Sequence, residues 1–192
     1  MERLGVASIP DLLNIAREPV NLYRNILQAE RKELMAVPKE ILAIDIGGGT
    51  QDILIYEEGK PMENCVQMIL PSPTQIIAQQ ISKATESRKN IFITGNTMGG
   101  GPCSWAVEKH LRSGLKVYAT ELAALTFHDN LDEVRSWGIK ITNRPPKGAR
   151  AIHLRDVDLA SLRKALRPFQ VNLPQTYAVA VQDHGFRPAG SN

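Results

Sequence analysis

The chain has 192 residues, more than the roughly 150 that serve as a prior for one domain, so one domain and an additional segment are expected. Hydrophobic residues at 43% and charged residues at 22% are ordinary globular usage, which excludes a disordered, collagen-like or disulfide-scaffolded chain. A net charge of +3, from 23 basic and 20 acidic residues, is too small and too dispersed for a dedicated nucleic-acid binder.

Residues 1–38 read as a helical leader or the tail of a preceding domain. Pro10 and Pro19 suit first turns of helices, and Val20, Tyr23, Ile26, Leu27 and Leu34 recur at helical spacing before Pro38 closes the segment. From residue 39 the pattern changes. Residues 41–46 and 53–56 are apolar strands joined by a glycine turn, and a third strand is expected at 66–70, the three antiparallel. The run Pro71-Ser72-Pro73-Thr74 breaks the chain before a helix to about residue 88, with Ile76, Ile77, Gln80, Ile81 and Ala84 on one face. A strand at 91–94, a helix at 102–111, a strand at 116–119 and a helix at 121–127 then alternate, which predicts an α/β sheet with parallel members. Beyond residue 130 the pattern suggests a helical turn at 134–138, a strand at 140–142, a proline and glycine loop at 144–148, a helix at 159–166 capped by Asp158, and a β-prone segment at 177–181.

Cys65 and Cys103 have no CxxC or Cys/His spacing, so neither a zinc site nor an iron–sulfur cluster can be assembled from them. The apolar runs are strand-length, far short of the ~20 residues that cross a bilayer, and no apolar signal region follows the start. A soluble, cytoplasmic protein without a membrane partner is expected. His110, His128 and His153 show no ligand spacing and read as structural; Trp105 and Trp137 read as packing residues.

The strongest chemical signal is Asp45-Ile46-Gly47-Gly48-Gly49-Thr50-Gln51-Asp52, between two strands. Three consecutive glycines remove every Cβ from a turn, so backbone amides can converge on an anion such as phosphate. Asp45, ending the preceding strand, suits a hydrated Mg²⁺, which keeps several waters and takes one or two carboxylates beside phosphates. The competing explanation is a tight hairpin that uses glycine only for positive φ. The motif is neither a Walker loop, which needs Gly-Lys-Ser/Thr, nor a dinucleotide fingerprint, which must open a helix. A second cluster, Thr94-Gly95-Asn96-Thr97-Met98-Gly99-Gly100-Gly101-Pro102, lies between a strand and a helix, where amides at the helix start could meet an anion or the glycines could permit close packing. Asp183-His184-Gly185 follows the last apolar segment.

The sequence IDIGGGTQDILI, residues 44–55, resembles the phosphate loop of the actin-like ATPase superfamily, which includes sugar kinases, actin and heat-shock chaperones. That resemblance implies an α/β, ribonuclease H-like or actin-like ATPase lobe, a mixed sheet flanked by helices, at residues 39–176, with residues 177–192 the start of a second lobe that stops short. It also implies ATP and Mg as cofactors, while the cysteine spacing already argues for no zinc and no iron–sulfur cluster. The phosphate cradle would be Gly47, Gly48, Gly49, Thr50 and Gln51, the cleft lining Asn96, Thr97, Gly99, Gly100 and Gly101, the metal-positioning residue Asp45 through water, and Asp183 a candidate catalytic residue after the strand at 177–181, where the family has its second phosphate loop. A second lobe or partner chain would close the cleft, and the phosphoryl acceptor would be a small molecule, a protein or water. More broadly, ILAIDIGGGTQDILIYE, ENCVQMILPSPTQ, TGNTMGGGP and AVAVQDHGFRPAGSN resemble a prokaryotic family, frequent in archaea and anaerobic bacteria, whose members often carry the label "putative pyruvate formate-lyase activating enzyme". A radical S-adenosylmethionine activase needs three closely spaced cysteines, and two distant ones disfavour that chemistry. The expected function is therefore an ATP-binding lobe of an actin-like ATPase or kinase, the alternative being a binding or assembly module of the same fold.

Overall fold

The computed structural model describes residues 39–181, which lie within one compact unit. The leader at 1–38 and the candidate Asp183 fall outside the described residues. Glu40–Ile46 (β1), Thr50–Glu57 (β2) and Val66–Pro71 (β3) form the antiparallel meander expected from the alternation. Pro73–Glu86 (α1) leads to Ile91–Gly95 (β4), Gly101–Arg112 (α2), Val117–Ala119 (β5), Glu121–Leu125 (α3), Leu131–Ser136 (α4) and Ile139–Ile141 (β6). Arg150–Leu154 (β7), Leu159–Leu166 (α5) and Tyr177–Val181 (β8) complete the described fold.

The strands form two four-stranded sheets, where sequence patterning implied one. The first is mixed, in the order β3-β2-β1-β8, with β8 parallel to β1. The second is all parallel, in the order β6-β5-β4-β7. The lobe boundary expected at residue 176 is consequently no boundary of this sheet: Leu42 pairs with Tyr177 and Ile46 with Val181, so β8 completes the first sheet. β7 was not expected from the sequence. Only Ile152 and Leu154 of its five residues are buried, too short an alternation to stand out beside Arg150 and His153.

Each sheet has its own apolar core. Leu42, Ile44, Ile46, Ile53 and Ile55 present one face of the mixed sheet to Leu162, Leu166 and Leu173. Ile91, Ile93, Val117, Ile139, Ile152 and Leu154 fill the parallel sheet against α1 and α2. Burying one such side chain contributes about 1.5–3 kcal/mol, so these clusters dominate the stability of each layer.

α1 connects the two sheets, and its ends are set locally. Ser72 caps its start by accepting from the Gln75 amide at 3.4 Å, and Pro73 supplies the fixed φ of a first helical residue. Ile77, Ile81 and Ala84 fall on one buried stripe. The helix stops where Arg88 turns left-handed, φ 53°, with Lys89 donating to Ala84 and Arg88 to Thr85 as in a Schellman end.

The α1–α2 seam buries His110 completely. Thr85 Oγ1 lies 2.9 Å from the Ile81 carbonyl and shares a hydrogen bond of 2.7 Å with His110 Nδ1. Nε2 is left without a hydrogen bond among the described residues. Burial lowers the His110 pKa from 6.5, partly offset by a Lys116 backbone interaction whose geometry falls short of a hydrogen bond. The folded protein thus holds a neutral imidazole while the unfolded chain takes up a proton below pH 6.5, so stability is full above that value and declines as pH falls below it. Urea midpoints at pH 7.5 and 5.0 should fall more for the wild type than for His110→Gln; equal falls would contradict the burial of a neutral ring.

Candidate functional site

The first glycine turn closes tightly. The Gly47 amide donates to the Thr50 carbonyl at 2.9 Å, leaving Gly48 and Gly49 at the tip. None of the three glycines has a φ in the left-handed range, and a Cβ at Gly48 or Gly49 would meet nothing within 4 Å. The hairpin explanation, glycine for positive φ, therefore does not hold here. The tip is held from one side by Ser72, which is fully buried: its hydroxyl donates to the Gly48 carbonyl at 2.9 Å and its amide to the Gly49 carbonyl at 3.1 Å. With both carbonyls drawn toward Ser72, the Gly48 and Gly49 amides have no hydrogen-bond partner among the described residues. The arrangement can present two donors to an anion beside the start of a 14-residue helix.

Strand alternation divides the residues around this turn between two faces. Asp45, Thr50 and Asp52 share the open face of the mixed sheet, and Asp45 pairs directly with Asp52 across the strands. Thr50 Oγ1 donates to Asp52 at 3.5 Å. Ala43, Ile69 and Ala180 join the two carboxylates in lining a groove of about 570 Å³ on that face. Like charges directly opposite in a ladder are unfavourable, and a shared cation or bound water relieves them. Asp52 was missed in the sequence, although its placement opposite Asp45 follows from a hairpin centred on Gly48-Gly49. Gln51 points to the opposite face, where its Nε2 donates to the Pro71 carbonyl at 3.0 Å, a cross-strand tie.

The second glycine cluster is built differently. Gly99, Gly100 and Gly101 have φ of 98°, 58° and 57°, so these positions require glycine for backbone conformation alone. Gly95, φ 74°, lies so close to β7 that a Cβ would stand 2.2 Å from the Leu154 carbonyl oxygen. Thr97 is buried and donates to Asp156, whose Oδ1 also accepts from the Met98 amide at 2.8 Å. Asn96 is exposed. The loop thus lies over the carboxyl ends of β4 and β7, the switch point where open parallel sheets commonly bind ligands.

Both glycine turns are fixed by one short segment. Gly100 has no side chain with which to cap α2, and Thr74, almost wholly buried, substitutes for it. Its hydroxyl donates to the Gly100 carbonyl at 3.1 Å and accepts from the Cys103 amide at 3.1 Å, the place an N-cap hydroxyl normally takes. Ser72 and Thr74, read from the sequence as part of a chain breaker, are the residues that bring Gly48–Gly49 and Gly100–Gly101 to the same helix end.

Other sequence expectations separate clearly. Cys103 is buried, and burial pushes its thiol up to about 12, which keeps it protonated at neutral pH. Cys65 is buried as well. His153 holds Thr94 at 2.9 Å, and His128 accepts from the Asn130 amide and meets the edge of Trp137 at 5.8 Å. Trp105 and Trp137 are not core packing residues: they are 69% and 47% exposed and flank a groove with Phe127 on the outer side of α2. No helix among the described residues is long and apolar enough to cross a membrane.

The described chain is thus a mixed α/β protein whose two glycine-rich turns meet at one helix start. A family model described as "Putative pyruvate format-lyase activating enzyme (DUF1786)" matches residues 98–192, from within the second glycine cluster onward. The first glycine turn precedes the matched residues. No curated protein and no solved structure matches the chain.

The two turns make opposite demands on glycine. Gly95→Ala should lower stability by on the order of 2–4 kcal/mol, since both its φ and the Leu154 carbonyl oppose a Cβ. Gly48→Ala should leave stability unchanged or raise it by up to about 1 kcal/mol through the unfolded chain. Urea midpoints of the two variants test this contrast, and equal losses would contradict it.

Proposed function

We propose that the turn Gly47–Thr50 binds the phosphates of ATP as its magnesium complex, and that the chain serves as the nucleotide-binding lobe of an actin-like ATPase or kinase. The observation that carries this reading is a pair of glycines needed neither for φ nor for packing, whose amides have no hydrogen-bond partner among the described residues. Glycine at such a position leaves the backbone open to close approach by a ligand. Phosphate oxygens would accept from the Gly48 and Gly49 amides, with the positive end of α1 behind them.

Asp45 and Asp52 are acceptor groups suited to the waters of a hydrated Mg²⁺, and Thr50 adds a hydroxyl on the same face. Bound there, the ion would neutralise charge on the transferring phosphoryl group. The chain's own part is to hold the phosphates at a fixed place: Ser72 restrains the turn, so its donors need no rearrangement when charge develops. The acceptor would be water, a small molecule or a protein, approaching over the second glycine loop.

An activating-enzyme chemistry of the radical type suits these residues less well. Its cluster needs three accessible thiolates, and this chain offers two buried thiols, one of them held protonated.

Calorimetry of the full chain with ATP and magnesium chloride should show saturable binding that depends on the metal. Asp45→Ala and Gly48→Ala should each weaken it at least tenfold with urea midpoints preserved. Absence of binding, or binding indifferent to both substitutions, would refute the proposal.

A further inference from the structure

Strand β8 forms one edge of the mixed sheet, and among the described residues no strand pairs with its outer side. Its register sets Tyr177, Val179 and Val181 beside Leu42, Ile44 and Ile46, on the face that carries the apolar core. The three β1 residues are buried against Leu162, Leu166 and Leu173, whereas the three β8 residues are 42%, 45% and 43% exposed. The apolar face thus runs on past the cover that α5 gives it.

The other edges are guarded as natural sheets guard theirs, by proline, charge or shortness. β3 ends in Pro71, β6 has three residues and carries Lys140, and β7 starts with Arg150. β8, Tyr-Ala-Val-Ala-Val, has neither charge nor proline. We propose that this edge pairs with β8 of a second copy of the chain, antiparallel about a twofold axis at Val179, so that the two four-stranded mixed sheets become one.

Two features select a second copy as the occupant. The first is the hydrogen-bonding register. The Leu42 amide donates to the Thr176 carbonyl, so the even-numbered residues turn their backbone groups toward β1, and Tyr177, Val179 and Val181 turn theirs outward. Reversing the strand about Val179 sets Val179 opposite its own counterpart and Tyr177 opposite Val181, all of them residues with outward groups. Each opposed pair can then exchange both N–H···O bonds, as the hydrogen-bonded pairs of an antiparallel ladder do. The second feature is that the strand reads nearly the same in either direction. Alanines at 178 and 180 meet alanines on one face, and the larger side chains meet each other on the core face. An isologous contact requires such self-complementarity, and an uncharged strand sets no like charges opposite one another.

A single strand edge is a small contact, so the dimer should dissociate in about the micromolar range. Sedimentation equilibrium of the full chain from about 1 to 500 µM should show the mass rising from 21.2 kDa toward twice that value. Val179→Lys and Val179→Glu each place like charges at the axis, and each should stay monomeric with the wild-type urea midpoint. An equimolar mixture of the two variants should recover the dimer, because Lys then meets Glu. Amide exchange of the wild type gives a reading that needs no variant: the Tyr177, Val179 and Val181 amides should exchange several-fold faster in dilute than in concentrated protein, while those of Ala178 and Ala180, turned toward β1, stay slow in both.

A wild type that is monomeric at every concentration overturns the proposal, as does a dimer that both charged variants keep. Variants that dissociate and do not recover on mixing overturn the pairing about Val179. Protection of the three outward amides that is independent of concentration means that a segment of the same chain covers this edge, and overturns the proposal as well.

Discussion

Two hydroxyl groups at the start of one helix hold both glycine-rich turns of this molecule in place. Ser72 and Thr74 are two residues apart, both buried, and each spends its hydroxyl on a glycine turn distant in sequence: Gly48 for Ser72, Gly100 for Thr74. A buried hydroxyl left without a partner costs about 1–3 kcal/mol, so each bond both satisfies the side chain and fixes the turn. The two sheets have separate cores, and α1 is the element that packs toward both. Relative placement of the two turns consequently depends on the first turn of α1 more than on either sheet.

Glycine serves different ends at the two turns. At residues 95 and 99–101 it satisfies the chain's own geometry, through left-handed φ values and the close approach of β4 to β7. At residues 48 and 49 the chain's own geometry makes no such demand. The carboxylates of Asp45 and Asp52, facing each other across the same hairpin, place a second unsatisfied demand on that end of the sheet. Donors for an anion and acceptors for a hydrated cation thus sit within one short hairpin, the combination that a magnesium-bound phosphate group satisfies.

Much of the fold was legible because the informative patterns are local. The alternation through residues 41–56 predicts β1 and β2, and Asp158 before an amphipathic run predicts α5 over the residues observed. The division into two sheets was not legible, since parallel pairing joins segments far apart: β8 returns to β1 across more than 130 residues, and periodicity within either strand says nothing of its neighbour. β7 escaped notice because two buried aliphatic residues are too few for a period. Within the site, the glycines and Asp45 stood out by residue type, whereas Ser72 and Thr74 resemble ordinary turn and cap residues until their tertiary partners are known. Asp52 was recoverable from the hairpin's symmetry alone.

The most direct measurement is a ¹H–¹⁵N amide titration of the full chain with ATP and magnesium. If phosphate oxygens accept from the open turn, the Gly48 and Gly49 amides should shift furthest among the glycines and saturate together, while Gly114 and Gly148, in turns elsewhere in the parallel-sheet layer, stay nearly fixed. Shifts at Gly48 and Gly49 no larger than those at Gly114 and Gly148 would contradict a phosphate site at this turn.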